Sequence, residues 1–294
     1  MGMLVDPILV SAPAKVNLFL AVTGLRGDGF HSLASWVVPL AFGDEISVTL
    51  SQSKSDSLHF EGVEVACKLE DNLICRALQA YRSRVPDLPP VAIRVMKRIP
   101  VQAGLGGGSS DAVATLIALN ALAGEPLRSA ELCELALPLG SDCPLFFHSS
   151  GVVVKGRGEV VEPLAARGGT RKRVMLFKPF LGVDTAWAYG QLMRQAKYVD
   201  SGDADRMLYA CIDSFYQSSY SFYNSFEAVV FNQMLGLRVL VEAIRAEGVP
   251  CGMSGSGSAC FAVLESDDAA SWVRSKVRSC WGQDAFMVET HLLS

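Results

Sequence analysis

The chain has 294 residues, of which 50% are apolar, and it carries a formal net charge of −4. A chain of this length holds one large domain or two domains of ordinary size, with enough apolar residues for a full core. Acidic and basic residues are interspersed, which argues against nucleic acid or an anionic membrane as a partner.

Eight cysteines are scattered through the chain, and none forms a Cys-x-x-Cys pair. We interpret them as reduced thiols, most of them in the core of a cytoplasmic protein. The four histidines show no ligand spacing, so no zinc site is indicated and no residue is assigned as a metal ligand. The sequence shows no secretory signal pattern, and its apolar run over residues 112–123 is too short to span a bilayer.

The first predicted element is a strand pair or one bent strand over residues 8–22, broken at Pro13. Alternation after Pro13 places Lys15 and Asn17 on one face of the strand, so their side chains project the same way. By itself, Lys15 reads as an ordinary solvated lysine. A polar loop with the sequence Gly-Leu-Arg-Gly-Asp-Gly-Phe-His follows at residues 24–31.

Two strands and a helix are predicted between residues 31 and 100. Residues 46–50 alternate as a half-buried strand, and residues 91–95 form another. Between them, Asp71 or Asn72 is expected to cap a helix that runs to about Ser83.

The most informative stretch of the sequence is residues 100–111, Pro-Val-Gln-Ala-Gly-Leu-Gly-Gly-Gly-Ser-Ser-Asp, which leads into an apolar run. Glycines allow a ligand close to the backbone, and a helix N-terminus directs N–H groups at an anion. We therefore predict a phosphate-binding loop, with Ser109, Ser110 or Asp111 as the N-cap of a helix that ends at Gly124. A Walker A loop is excluded because no lysine follows the glycines.

Beyond this loop, capping residues and apolar patterns predict a series of elements. They are a helix from Ser129 to Leu137, a hairpin over 152–160, a strand over 174–178, a helix capped by Thr185 over 185–195, a long helix over 226–247 closed by Gly248, a strand over 260–264, a helix from Asp267 to about 279, and a strand over 286–289. This order suggests an antiparallel sheet with helices on one side. Residues 198–222 show no clear hydrophobic period, and the sequence does not decide whether they form a lid.

Two short turns remain. Asp142, two residues before Pro144, reads as a helix N-cap from sequence physics alone. Residues 253–258, Met-Ser-Gly-Ser-Gly-Ser, read as a tight turn between a helix and a strand.

Taken together, these motifs resemble those of the galactokinase, homoserine kinase, mevalonate kinase and phosphomevalonate kinase superfamily. The form of the glycine loop is most similar to that of the 4-diphosphocytidyl-2-C-methyl-D-erythritol kinases. Residues 11–18 resemble the first motif of the superfamily, residues 253–258 the third, and the Gly-Phe-His loop a base-binding element of that kinase family. Departures are Phe30 for a usual Tyr, Gln102 for a usual Gly, and Ser225 for a usual Asp.

The resemblance implies an α+β, two-domain superfamily kinase fold. Residues 1–158 would form a ribosomal-protein-S5-domain-2-like ATP-binding domain with the glycine-rich phosphate loop. Residues 159–294 would form a ferredoxin-like antiparallel sheet with helices on one face.

The resemblance also implies an activity, in which the γ-phosphoryl group of ATP is transferred to the 2-hydroxyl of 4-diphosphocytidyl-2-C-methyl-D-erythritol, in the non-mevalonate route to isoprenoid precursors. Asp142 would be the general base and Lys15 its electrostatic partner, with Mg²⁺ between the phosphates. We expect the residues that bind ATP to be Pro100, Gly104, Leu105, Gly106, Gly107, Gly108, Ser109, Ser110, Asn72, Leu73, Gly255, Ser256 and Gly257. Those expected to bind the acceptor are Asn17, Phe30, His31 and Tyr189. The partners would be small molecules, and the chain would be a monomer or weak homodimer.

Two alternatives stay open at this point. A sister kinase could act on homoserine or mevalonate, although a base-free acceptor has no use for the Gly-Phe-His loop. A non-catalytic nucleotide- or RNA-binding protein could share the N-terminal fold, because fold alone does not define function. The net negative charge and the presence of both Lys15 and Asp142 argue against the non-catalytic binding protein.

Overall fold

A computed structural model of the chain describes residues 6–165 and 171–293. Its strands, in chain order, are β1 (Ile8–Leu25), β2 (His31–Leu50), β3 (Ser57–Gly62), β4 (Val91–Lys97), β5 (Val152–Gly156), β6 (Val160–Pro163), β7 (Arg173–Lys178), β8 (Tyr223–Asn224), β9 (Cys251–Met253), β10 (Cys260–Leu264) and β11 (Phe286–His291).

The helices are α1 (Leu73–Arg84), α2 (Gly107–Leu122), α3 (Ser129–Ala136), α4 (Thr185–Gln195), α5 (Ser201–Tyr216), α6 (Glu227–Gln233), α7 (Leu235–Ala246) and α8 (Asp267–Trp281), with 3₁₀ turns at Leu69–Asp71 and Cys143–Phe147. Within the described ranges, no helix is long and apolar enough to cross a membrane.

The chain divides into two compact units, and each is built from three chain segments. The first unit contains the chain up to Ala14, Phe42–Val101 and Gly106–Phe147. The second contains Lys15–Ala41, Gln102–Leu105 and the chain from His148 onward. This division by compactness differs from a single boundary between residues 158 and 159, which stays a prediction.

The first unit combines a small sheet with three helices. Strand β4 pairs antiparallel with the C-terminal half of β2, where Val48 lies opposite Ile93, and parallel with β3. Its alternate residues are buried, as the sequence predicts. Helix α2 buries Val113 and Leu116 among others, and it packs against α1.

The second unit contains an antiparallel sheet in the order β11-β7-β10-β9, which confirms the sheet expected from the second half of the sequence. The central strand β10 places Cys260 opposite both Phe177 and Met253. Its core also takes apolar residues from β1, α4, α6, α7 and α8. Strand β1 pairs in parallel with β8, and β5 forms the expected hairpin with β6.

Several boundaries differ from the predictions for local reasons. Strand β1 runs through Pro13 without a break, because Pro13 precedes the stretch of β1 that pairs with β8. The long helix expected over residues 226–247 is two helices, because Met234 leaves the helical region at φ −115° and ψ 72°. Four of the eight cysteines are fully buried and all eight are free thiols.

Three N-caps lie one residue before the predicted ones. Asp184 caps α4 by accepting from Trp187 N, and Ser266 caps α8 by accepting from Ala269 N. Arg128 occupies the N-cap of α3, so that Ser129 is its first helical residue.

Candidate active site

Lys15 and Asn17 project from β1 toward each other, as the alternation predicts. Only 4% of Lys15 and 7% of Asn17 is exposed. Lys15 Nζ donates a hydrogen bond to Asn17 Oδ1 at 2.7 Å. The interpretation of Lys15 as a solvated lysine is therefore wrong, and its ammonium group belongs to a buried polar site.

The carbonyl of Gly104, in the first half of the glycine loop, completes this site in the second unit. It accepts hydrogen bonds from Lys15 Nζ at 2.8 Å and from Ser254 Oγ at 2.9 Å. Gly104 has a φ of +73°, and a Cβ built on it would lie 2.1 Å from the carbonyl oxygen of Ser254. The backbone N–H of Lys15 also donates to Leu105 O at 3.0 Å. Only glycine fits at position 104, because any side chain would meet backbone atoms.

The turn predicted as the third motif lies against the same group of residues. A Cβ on Gly255 would be 3.0 Å from Gly104 O and 3.3 Å from Lys15 Nζ. Within this turn, Ser256 Oγ forms a 2.8 Å hydrogen bond with Thr185 Oγ1. Strand β1, the glycine loop and the third-motif turn thus meet at Lys15.

Sequence reasoning missed the residues that hold this turn in place. Asn224 Nδ2 donates to the carbonyls of Met253 and Gly255, at 2.7 and 2.9 Å. Glu227 accepts from Met253 N at 3.0 Å. Ser225, which departs from the family pattern, is buried and accepts from Val22 N at 3.0 Å. The signal available in the sequence was Ser225, which stands where the family usually has Asp.

The second half of the glycine loop belongs to the first unit and begins helix α2. Gly106 is the N-cap, in the left-handed region at φ 73°, and no side chain caps the helix. The prediction of Ser109, Ser110 or Asp111 as the N-cap is therefore wrong, since the helix begins at Gly107. Gly124 at φ +82° follows the helix, which confirms the predicted stop.

The helix start contacts two other predicted segments of the first unit. A Cβ on Gly108 would lie 3.7 Å from Leu73 Cδ1, and one on Gly140 would lie 3.4 Å from Ser109 Oγ. Asn72 caps α1 by accepting from Ile74 N at 2.9 Å, which confirms the predicted cap. Asp142 is partly buried and precedes the 3₁₀ turn Cys143–Phe147.

A buried ionic cluster lies behind the helix start, and sequence reasoning missed it. Lys97 Nζ bonds to Asp111 Oδ2 at 2.7 Å and also to Asp44 Oδ2. A Cβ on Gly107 would lie 3.0 Å from Lys97 Nζ. The ammonium group therefore occupies the space that a side chain at residue 107 would need.

Charge and burial oppose each other in this cluster. Burial raises the pKa of Asp111 to about 7; Lys97 opposes that rise, and the nearby Asp44 adds to it. Burial alone would lower the pKa of Lys97, but the carboxylates of Asp111 and Asp44 outweigh it and raise that pKa.

The residues expected to bind a base form two groups in the second unit. His31 stacks on Tyr189 with ring centroids 4.8 Å apart, and Tyr198 Oη lies 3.4 Å from His31 Nε2. Partial burial lowers the pKa of His31, which favours the neutral imidazole. Phe30 is 51% exposed and contacts Arg157 instead. The structure thus joins His31 with Tyr189 and adds Tyr198, which sequence reasoning missed.

The predicted site residues divide between the two units as follows. The second unit holds Lys15, Asn17, Phe30, His31, Gly104, Leu105, Tyr189, Gly255, Ser256 and Gly257, and the first holds Asn72, Leu73, Pro100, Gly106, Gly107, Gly108, Ser109, Ser110 and Asp142. Among the residues that the structure describes, no group of three or more His, Cys, Asp or Glu side chains could hold a metal ion.

The fold and the family models that match this chain define a kinase of the GHMP class. The family model described as GHMP kinases N terminal domain matches residues 72–150, and the one described as GHMP kinases C terminal matches residues 207–283. A homoserine kinase structure from Cytophaga hutchinsonii aligns with a TM-score of 0.71 at 17% identity, over 99% of this chain and 96% of that one. At that identity the likeness shows a shared fold alone.

Relatives at higher identity define the family more narrowly. The 4-diphosphocytidyl-2-C-methyl-D-erythritol kinase of Nitratidesulfovibrio vulgaris is 36% identical over 276 residues, which cover 88% of this chain and 91% of the relative. That of Porphyromonas gingivalis is 32% identical over 260 residues, covering 87% and 92%. A crystal structure of 4-(cytidine 5'-diphospho)-2C-methyl-D-erythritol kinase aligns with a TM-score of 0.79 at 33% identity, over 97% of this chain and 98% of that one.

The chain belongs to the 4-diphosphocytidyl-2-C-methyl-D-erythritol kinase family. The predicted family, the α+β two-domain fold and the classification as an ATP-dependent phosphotransferase are confirmed. A homoserine or mevalonate kinase and a non-catalytic RNA-binding protein are not favoured by these comparisons.

Proposed function

We propose that this chain transfers the γ-phosphoryl group of ATP to the 2-hydroxyl of 4-diphosphocytidyl-2-C-methyl-D-erythritol. The observation that carries the proposal is the buried ammonium of Lys15, held between Asn17 Oδ1 and the carbonyl of Gly104 in the glycine loop. A cation fixed beside a phosphate loop suits a reaction in which positioning and charge stabilisation do most of the work.

The cradle for the phosphates is the uncapped start of α2, over Gly106–Ser110. The first N–H groups of a helix lack intrahelical partners, and here no side chain caps them, so they remain available to an anion. From the family motifs in which they stand, further contacts to ATP are assigned to Pro100, Gly104, Leu105, Gly255, Ser256 and Gly257. Asn72 and Leu73 would contact the adenine.

A magnesium ion fits the oxygen donors near this loop. Ser110 Oγ is buried without a hydrogen-bond partner among the described residues. Hydroxyl and phosphate oxygens are ligands that Mg²⁺ prefers, and it is usually bound through few protein groups. When bound, the ion would neutralise charge on the β- and γ-phosphates, with the Ser110 hydroxyl as a protein ligand.

Asp142 is proposed as the general base that accepts the acceptor proton, and Lys15 as the cation that stabilises the developing charge. Both assignments come from the family motifs in which these residues stand. Asn17 would contact the acceptor near its reacting hydroxyl.

The cytosine of the acceptor would bind at the cluster of His31 and Tyr189. The neutral imidazole offers one donor and one acceptor nitrogen, and the tyrosine offers an aromatic face. Phe30 would pack at the rim of this pocket, since half of its surface is exposed. We further propose a cytoplasmic location, consistent with the eight free thiols, and a monomer or weak homodimer.

The proposal is tested by measuring ADP release with Mg·ATP and four acceptors: the cytidylated methylerythritol, methylerythritol phosphate, mevalonate and homoserine. Turnover with the cytidylated acceptor alone supports the proposal and the assignment of the His31 cluster to the base. Turnover with another acceptor would contradict the proposed specificity while leaving the kinase chemistry in place. No turnover with any acceptor, from folded protein that binds ATP, would contradict the proposed activity.

A further inference from the structure

We infer that Ser35, on β2, is a positioning residue that fixes the side-chain amide of Asn17 and through it the ammonium group of Lys15. This inference rests on the proposed function, because it adds a residue to the same site. No family motif in the sequence points to Ser35.

Ser35 determines which groups donate and which accept in this series of hydrogen bonds. The residue is only 1% exposed. Its hydroxyl donates to the carbonyl oxygen of Phe19 at 2.6 Å. A hydroxyl has a single proton, and a carbonyl can only accept. The Ser35 proton is therefore committed to Phe19, and only its lone pairs face the neighbouring Asn17.

This commitment determines which end of the Asn17 amide faces each neighbour. Asn17 Nδ2 donates to Ser35 Oγ at 2.9 Å, and Asn17 Oδ1 accepts from Lys15 Nζ at 2.7 Å. A flipped amide would place its NH₂ group against the ammonium and its oxygen against the lone pairs of Ser35. Both contacts would then be repulsive, so Ser35 selects one of the two amide orientations.

The selected orientation supplies Lys15 with a fixed acceptor, Asn17 Oδ1. The carbonyl of Gly104 is a further acceptor, at 2.8 Å from Nζ. Together, Asn17 Oδ1 and the Gly104 carbonyl set where the ammonium lies relative to the glycine loop. Because phosphoryl transfer depends on positioned charge, an error in that location would slow the chemical step.

Removing the Ser35 hydroxyl leaves Asn17 Nδ2 without this acceptor and removes the bias between the two amide orientations. The Asn17 amide is then no longer held, and the Lys15 ammonium loses a fixed acceptor. A purely structural Ser35 would instead only join β1 to β2, and its loss would lower stability without a specific effect on turnover. The two roles are separated by kinetics and by rescue with a second hydroxyl.

The experiment compares kcat and KM for ATP in the parent enzyme, Ser35→Ala, Ser35→Thr, Asn17→Ala and the double variant. For Ser35→Ala we expect kcat to fall about ten- to a hundredfold, the range for losing a hydrogen bond within a charged network. KM for ATP should stay close to the parent value, since the phosphate cradle is untouched. Ser35→Thr keeps the hydroxyl and should recover most of the parent kcat.

The double variant gives the sharpest readout. If Ser35 acts through Asn17, adding Ser35→Ala to Asn17→Ala causes little further loss of kcat. A Ser35→Ala enzyme with parent kcat, a Ser35→Thr enzyme as slow as Ser35→Ala, or additive losses in the double variant would each overturn the inference. Parent enzyme that fails to phosphorylate the cytidylated acceptor would instead contradict the proposed function.

A second measurement needs no turnover and no alanine at residue 35. The side-chain amide protons of Asn17, assigned by their loss in Asn17→Ala, are followed by nuclear magnetic resonance in the parent and in Ser35→Thr and Ser35→Cys. We expect slow exchange in the parent and Ser35→Thr, and faster exchange in Ser35→Cys, because a thiol is a weak partner. Equal exchange in all three would overturn the inference even if Ser35→Ala does not fold.

Discussion

Ser254 donates a hydrogen bond from its hydroxyl to the carbonyl of Gly104 at 2.9 Å, and its own carbonyl oxygen lies where a Gly104 side chain would be. The glycine loop and the third-motif turn are therefore joined by a hydroxyl–carbonyl hydrogen bond and by a close approach of their backbones. Since the Lys15 ammonium bonds to the same Gly104 carbonyl, the contact also helps to place the proposed catalytic cation.

Gly104→Ala should destabilise the protein and abolish most turnover. The new Cβ would lie 2.1 Å from Ser254 O, in addition to the strain of a φ of +73°. Strain of the left-handed backbone alone costs roughly 1–2 kcal/mol, and we expect a larger loss in the free energy of unfolding measured by urea denaturation. The matched control is Gly248→Ala, with a φ of +76° and no atom within 4 Å of its Cβ. Equal losses for the two variants would contradict the account of the contact.

Gln102→Gly should make the protein slightly more stable. Gln102 has a φ of +51°, a left-handed conformation that favours glycine. Relief of that strain outweighs the extra backbone freedom of glycine in the unfolded chain, by up to about 1 kcal/mol. Ala123→Gly, at an ordinary φ of −82°, is the control and should lower stability. Destabilisation of Gln102→Gly by urea denaturation would contradict the prediction.

Asp111 should make stability fall as the pH rises from about 4 to about 7. Burial raises its pKa in the folded chain to about 7 from its ordinary value of 3.8, so the folded protein binds the proton more tightly than the unfolded one. The stabilising contribution is complete below the unfolded pKa and is lost as the pH passes the folded one. Because Asn does not titrate, the unfolding free energy of the parent should fall relative to that of Asp111→Asn as the pH rises through this window. If the unfolding free energies of the two proteins changed in parallel with pH, the raised pKa of Asp111 would be contradicted.

Asp142→Asn should keep the fold and the affinity for ATP but lose turnover. Removal of a general base typically lowers the rate about 10²–10⁴-fold. Calorimetric titration with ATP and steady-state kinetics separate the two effects. Asp87→Asn makes the same chemical change at an exposed carboxyl and serves as the control. Turnover of Asp142→Asn close to that of the parent would remove Asp142 from the mechanism.

Much of the site could be predicted because a short motif determines the local backbone structure and the direction of its side chains. Strand alternation places Lys15 and Asn17 side by side, and the glycine pattern predicts a loop that opens a helix. What the sequence did not provide was the set of partners. Asp44, Lys97 and Asp111 are separated along the chain, and no motif links them, yet they meet in the first unit.

Parts of the fold were missed for other physical reasons. Helix α5 lies in the region without a clear period, although its buried residues Ala204, Leu208, Cys211, Ile212 and Phe215 do follow a helical repeat. The serines, tyrosines and aspartates between them dilute that signal. The break between α6 and α7 falls on Met234, which is neither a proline nor a glycine, so the residue at the break gives no local signal for it.

The most direct test of the central claim is the position of the phosphate on the product. The 2-hydroxyl of the acceptor is on a carbon that bears the methyl group and no hydrogen, so a phosphate there has no neighbouring proton across the ester bond. In a proton-coupled phosphorus-31 spectrum of the product formed from the cytidylated acceptor, we predict a new monoester signal that is a singlet. A doublet or triplet would place the phosphate on another hydroxyl and would contradict the account.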